Sequence, residues 1–137
     1  MSPEQCLKHM ILRKRAAWRQ EDTVEITAEN IDALYDAADE ADDGDLQDAR
    51  NEVRCSGVDT HLPCAWMQGA SRNYESKAVA AQAPDGRWVG WTEWYGGGKH
   101  SEPSAIPWME HAYFVDCAEV QQMVTVRAFS LPAAAGA

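Results

Sequence analysis

Tyr74-Glu-Ser-Lys-Ala-Val-Ala-Ala-Gln82, Ala83-Pro-Asp-Gly-Arg87 and Trp88-Val-Gly-Trp-Thr-Glu-Trp-Tyr95 follow one another without interruption, and this stretch decides how the chain folds. The first part alternates with a period of two, and the last is rich in Trp, Val, Thr and Tyr, residues that suit a pleated surface. Pro84, Asp85 and Gly86 supply turn chemistry between them, so the stretch reads as a β-hairpin. Trp88 and Trp94 share one face of the second strand with Gly90 and Thr92, whereas Trp91 and Tyr95 share the other with Val89 and Glu93. One aromatic set is therefore core. The other packs under helices or offers a stacking surface, with Trp91 and Tyr95 the candidates for such a surface.

Working toward the C-terminus, Gly96 to Gly98 interrupt regular structure, and Pro103 and Pro107 limit any helix between Ser101 and His111 to a turn or two. Residues 112–117 and 122–129 read as two further strands, the last alternating Val124, Val126 and Ala128 against Met123, Thr125, Arg127 and Phe129. Toward the N-terminus, residues 57–69 read as a connecting loop. Before it, three helices are expected: residues 3–19, opened by Ser2, Pro3 and Gln5; one capped by Thr27 and broken at Asp42 to Gly44; and residues 45–54. In the first, Leu7, Met10, Ile11, Lys14 and Trp18 recur at helical spacing. The expected fold class is α+β, N-terminal helices packed on a roughly four-stranded antiparallel sheet. One compact domain spans 1–130, helical and acidic over 1–56 and mainly β over 57–130, with a frayed tail at 131–137.

Of 137 residues, 12 are Lys or Arg and 22 are Asp or Glu, a net charge of −10. Twelve of the acids lie between Glu21 and Asp48, where there is no Lys, Arg or His, so one 28-residue stretch carries the whole surplus. Such a chain repels a phosphate backbone and anionic lipid, which argues against direct nucleic-acid or membrane binding. No apolar run approaches the roughly 20 residues of a membrane span, and the first 20 residues do not resemble a signal peptide. The expected setting is the cytoplasm.

Several chemistries fail on spacing. Cys55, His61 and Cys64 are the nearest approach to a zinc signature, but they supply three ligands without two tight pairs. No cofactor is expected. A calcium loop centred on Gly44 places Ala41 and Arg50 where oxygen ligands belong. Gly96-Gly-Gly-Lys99-His100-Ser101 follows a strand as a phosphate loop does, yet Glu93 and His100 occupy positions that a Walker loop reserves for Gly and Ser or Thr, and a turn explains the glycines. Lys99 and His100 remain candidates for ligand contact beside Trp91 and Tyr95. Glu93, Glu102, Glu110 and His111, with Cys64 or Cys117, form no recognised triad order, so no catalytic residue is assigned and a non-enzyme is expected.

The run Trp88-Val-Gly-Trp-Thr-Glu-Trp-Tyr-Gly-Gly-Gly-Lys-His100, with Leu62-Pro-Cys64 and Asn73-Tyr-Glu-Ser76 before it and Ile106-Pro-Trp-Met109 after it, resembles small uncharacterised proteins of bacteriophages and prophages. The likeness covers mainly residues 62–129. It implies a mobile element in a bacterial host and no particular activity. In that setting the acidic region suggests a function: Glu29, Asp32, Asp36, Asp39 and Asp43 on one helix face can imitate a phosphate backbone and occupy the Lys- and Arg-lined groove of a host protein, such as a defence nuclease, a restriction enzyme or a CRISPR complex. Two competitors stand against this: a solvated face, and pairing with Lys8, Arg13, Lys14, Arg15 and Arg19 of the first helix, in the same molecule or in a homodimer. A small ligand-binding protein or enzyme using the Trp-rich strand and Gly-rich turn is the alternative.

Overall fold

The computed structural model describes residues 1–22, 24–41, 44–64, 74–99 and 101–134. It is an α+β fold in which three helices precede a four-stranded antiparallel sheet. Helix α1 (Pro3–Arg19) begins where expected because Ser2 and Gln5 form a capping box: the Gln5 amide donates to Ser2 Oγ at 3.1 Å, and the Ser2 amide donates to Gln5 Oε1 at 2.9 Å. It ends at Gln20, whose φ of 53° is left-handed. Thr27 caps the turn leading into α2 (Ile31–Ala41), accepting from the Asn30 amide at 3.3 Å, while Asn30 Oδ1 accepts from the Thr27 amide at 2.8 Å. Helix α3 spans Asp45–Arg54.

The sheet runs β1 (Val58–Asp59), β2 (Glu75–Gln82), β3 (Trp88–Tyr95) and β4 (Tyr113–Val115), in that spatial order. The hairpin forms as read: β2 pairs β3 along its whole length, with Val79 opposite Trp91 and Ala81 opposite Val89. The helices bury their apolar stripes against that face, where Leu7, Ile11, Tyr35, Leu46, Ala49 and Val53 meet Val79, Val89 and Trp91. Trp108, which follows a 3-10 turn at Pro103–Ala105, joins them with its ring 5.5 Å from that of Trp91. Two glycines permit this closeness. A Cβ on Gly57 would stand 2.7 Å from Val79 Cβ and 3.0 Å from the Trp91 ring, and one on Gly90 would stand 2.6 Å from the Tyr113 ring.

Three expectations change. The loop expected at 57–69 contains β1, too short a strand to show a period. Residues 122–129 do not join the sheet: from Asp116 to Ala134 every residue is exposed and none belongs to a helix or strand. Among the described residues the packed body thus ends at Val115 rather than at residue 130, because the apolar residues from 116 to 134 pack on no other described residue. Trp18 also lies outside the core, 47% exposed, since α1 outruns the body that covers it. Among the described residues no helix is long and apolar enough to cross a membrane.

Candidate functional site on the acidic helical face

The carboxylates expected on one face of α2 divide into two groups. Asp32 accepts from Lys8 Nζ at 3.0 Å and from Gln5 Nε2 at 3.2 Å, and Asp39 lies 3.7 Å from the Arg50 guanidinium. Both cations stand over the Tyr35 ring, Lys8 at 5.3 Å and Arg50 at 5.5 Å from its centroid, and Arg50 Nε donates to the Tyr35 hydroxyl at 2.7 Å. One buried tyrosine thus gathers a cation from α1 and a cation from α3, each held by an acid of α2. Pairing with the first helix, one of the two competitors, takes Asp32 through Lys8, while Asp39 is taken by Arg50 of α3, a cation outside that expectation.

Glu29 and Asp36 form the second group, and Glu40, outside the expected row, joins them. All three are exposed, and among the described residues none has a cation within 4.0 Å. Asp36 and Glu40 stand about 6 Å apart along the axis at 1.5 Å per residue. Asp48 and Glu52 of α3 are exposed as well. Asp43 lies outside the described residues.

The charged contacts leave a signature in proton affinity. Hydrogen bonds from Lys8 and then Gln5 hold the Asp32 carboxyl below its usual 3.8. Lys8 is raised in turn: burial pulls it down most, but the hydrogen bond and charge of Asp32, with Glu4 and Asp36 behind them, outweigh it. Arg87 likewise holds Asp85 low, through side-chain bonds at 2.7 and 2.9 Å and a backbone bond at 3.0 Å. Arg87 also donates to the Met1 carbonyl at 3.0 Å and stacks 4.1 Å over Phe114, tying the hairpin turn to the N-terminus and to β4. His9 is pushed below 6.5, by burial first and by Arg13 second. The signs agree. Each of these three groups binds protons more readily unfolded than folded, so each contributes stability above its unfolded pKa and loses it as pH falls toward its folded value. These three groups are therefore expected to lower the urea midpoint as pH falls, His9 below about 6.5 and Asp32 and Asp85 below 3.8. The wild-type midpoint minus that of His9→Gln should fall between about pH 6.5 and about pH 5, and minus that of Asp32→Asn should fall below pH 3.8; a difference that rises with falling pH contradicts the assignment.

The second candidate region is taken apart by burial. Trp91, read as a possible stacking surface, is fully buried, and its Nε1–H donates to the Arg54 carbonyl at 3.1 Å. It is core, because the helices cover its face of β3. Tyr95 on the same face stays 39% exposed beyond the helices, with Lys77 Nζ 5.5 Å from its ring and 3.7 Å from Glu93. Gly96, Gly97 and Gly98 all have positive φ, and the Ser101 hydroxyl lies 2.7 Å from both the Gly96 and Gly98 carbonyls, so a side chain of the turn itself closes it. Lys99 is exposed there; His100 lies outside the described residues.

Cys55, His61 and Cys64 are not brought together. Cys55 is exposed at the end of α3, His61 faces solvent 3.6 Å from Asp59, and Cys64 sits half-buried, 3.7 Å from the Ser76 hydroxyl. Among the described residues no three His, Cys, Asp or Glu side chains converge as metal ligands. All four thiols are free, and burial, reinforced by Asp85, pushes the Cys6 thiol up. With a disulfide reagent near neutral pH, Cys55 and Cys117 are expected to react first, Cys64 more slowly, and Cys6 only on unfolding. Mass mapping that finds Cys6 among the first two refutes the burial order.

Fold and surface define a small acidic α+β protein with helices on one face of an antiparallel sheet and a residual carboxylate stripe outside. No family model, curated protein or solved structure matches the chain. Sequence reasoning missed Arg50, Arg54 and Arg87, each of which also bonds a partner 15 to 86 positions away, a contact that leaves no local signal.

Proposed function

We propose that this is a binding protein, without catalytic chemistry of its own, that occupies the cationic groove of a bacterial host protein through the outer acidic face of α2. The supporting observation is the stripe Glu29, Asp36 and Glu40, exposed and without a cation within 4.0 Å, with Asp48 and Glu52 of α3 adding to the same surplus. Exposed carboxylates at helical spacing favour a partner that otherwise binds phosphate and speed its association at low salt. The resemblance to phage-encoded proteins makes a host defence nuclease, restriction enzyme or CRISPR complex the partner class.

The fold guides the choice of variant. Reversing Asp32 or Asp39 breaks the contacts around Tyr35, and reversing Asp36 sets a like charge near Lys8, whereas Glu29→Lys with Glu40→Lys touches neither cation. Wild-type protein immobilised on a support should capture a DNA-binding host protein from bacterial lysate, and duplex DNA should elute it. The double variant should retain its melting temperature and lose the capture. Equal capture by the double variant, or captured protein that duplex DNA cannot displace, overturns the reading.

A further inference from the structure

Two apolar surfaces of the described chain face water. One is a groove of about 510 Å³ between α1, α2 and the segment joining them, floored by Leu12, Ala16, Val24, Ile26, Leu34 and Ala37. Its rim carries both signs, Arg13 and Arg15 with Glu21 and Asp22. The other is the arm from Asp116 to Ala134. Its Val120, Met123, Val124, Val126, Phe129 and Leu131 are all at least 75% exposed. Single exposed apolar residues are ordinary, but a contiguous run of them marks an interaction site.

We infer that the arm of one copy fills the α1/α2 groove of a second copy and that the exchange is reciprocal, making the chain a homodimer. Several observations select a second copy. Every described arm residue is exposed and, within the described chain, makes no hydrogen bond or ion pair to the body, so the arm leaves its own domain instead of folding over it. Nineteen residues at about 3.3 Å each reach about 60 Å. That is ample, because a domain of this length has a radius of gyration of only about 14 Å. The arm brings Glu119 and Arg127 to a rim that carries Arg13 on one hand and Asp22 on the other. Arm and groove together supply the roughly 20–30 residues a side of a standard interface. A reciprocal exchange about a two-fold axis closes on itself, which leaves neither surface open for further growth.

Light scattering on the full chain at tens of micromolar should give twice the 15.2 kDa chain mass. A chain ending at Asp116, the full chain with Val124→Asp and Val126→Asp, and the full chain with Ala37→Arg in the groove should each give a single chain mass with unchanged far-ultraviolet circular dichroism. A monomeric wild type, a dimeric truncation, or a dimeric Ala37→Arg overturns the inference, the last by placing the arm elsewhere. Occupation of the arm's own groove is distinguished by a photo-crosslinker. With benzoylphenylalanine in place of Phe129 and two differently tagged copies mixed, crosslinks to α1 or α2 of the other copy are expected; crosslinks confined to one copy overturn it.

Discussion

Trp91→Ala is expected to destabilise the fold by roughly 3–5 kcal/mol, enough to lower the melting temperature by more than about 10 °C. Trp91 is fully buried, stands opposite Val79 in the hairpin, touches Trp108 and meets α3 through its Nε1–H bond to the Arg54 carbonyl. Removing the indole leaves a cavity between sheet and helices that the chain cannot close, because Gly57 already brings the backbone against Val79 and the ring. Since domains of this kind are stable by about 5–15 kcal/mol, the variant loses a large share of the total. Trp91→Phe keeps most of the packing and loses the Nε1–H donor, for an expected cost of about 1–2 kcal/mol. Calorimetry on both variants checks the order. Alanine unfolding at or above the temperature of phenylalanine removes Trp91 from the centre of the core.

Arg54→Met is expected to cost about 2–3 kcal/mol, and the loss should persist in high salt. Arg54 is buried at the end of α3, donates from Nη1 to the Trp94 carbonyl at 2.8 Å and from Nε to Asn51 at 3.1 Å, while its own carbonyl receives Trp91. Met preserves the apolar stem and removes both donors, so the Trp94 carbonyl loses a charge-assisted partner in a site that water does not reach. Arg50→Met provides the contrast. Its ion pair with Asp39 is half-exposed and contributes less, so salt should erase that part of the loss, while the part due to the Tyr35 hydroxyl bond persists. Urea titrations at low and high salt separate the two arginines; an Arg54→Met loss that vanishes in salt contradicts its buried role.

What was legible differs by the range of the interaction. The capping box at Ser2 and Gln5, the Thr27 cap, the turn at Pro84 to Gly86 and the alternation along β2 and β3 are local, and the elements they define form where the residues direct. The acidic face was legible as a row of carboxylates. Its division into Asp32 and Asp39, held by Lys8 and Arg50, and Glu29, Asp36 and Glu40, left outside, was not. Residues 122–129 show the opposite failure. Their alternation has the period of a strand, but a strand also needs a neighbour for its backbone, and among the described residues none is adjacent.

By itself the sequence determined the helices, the hairpin, the α+β class and the placement of the whole charge surplus in residues 21–48, because each depends on periodicity, turn chemistry or composition. Only the tertiary structure decided that Trp91 and Trp94, on opposite faces of β3, are both buried, which acids are neutralised from neighbouring helices, and that the apolar arm after Val115 packs on no other described residue. Those outcomes depend on which surfaces meet, and a meeting of surfaces far apart in sequence has no period for a sequence to display.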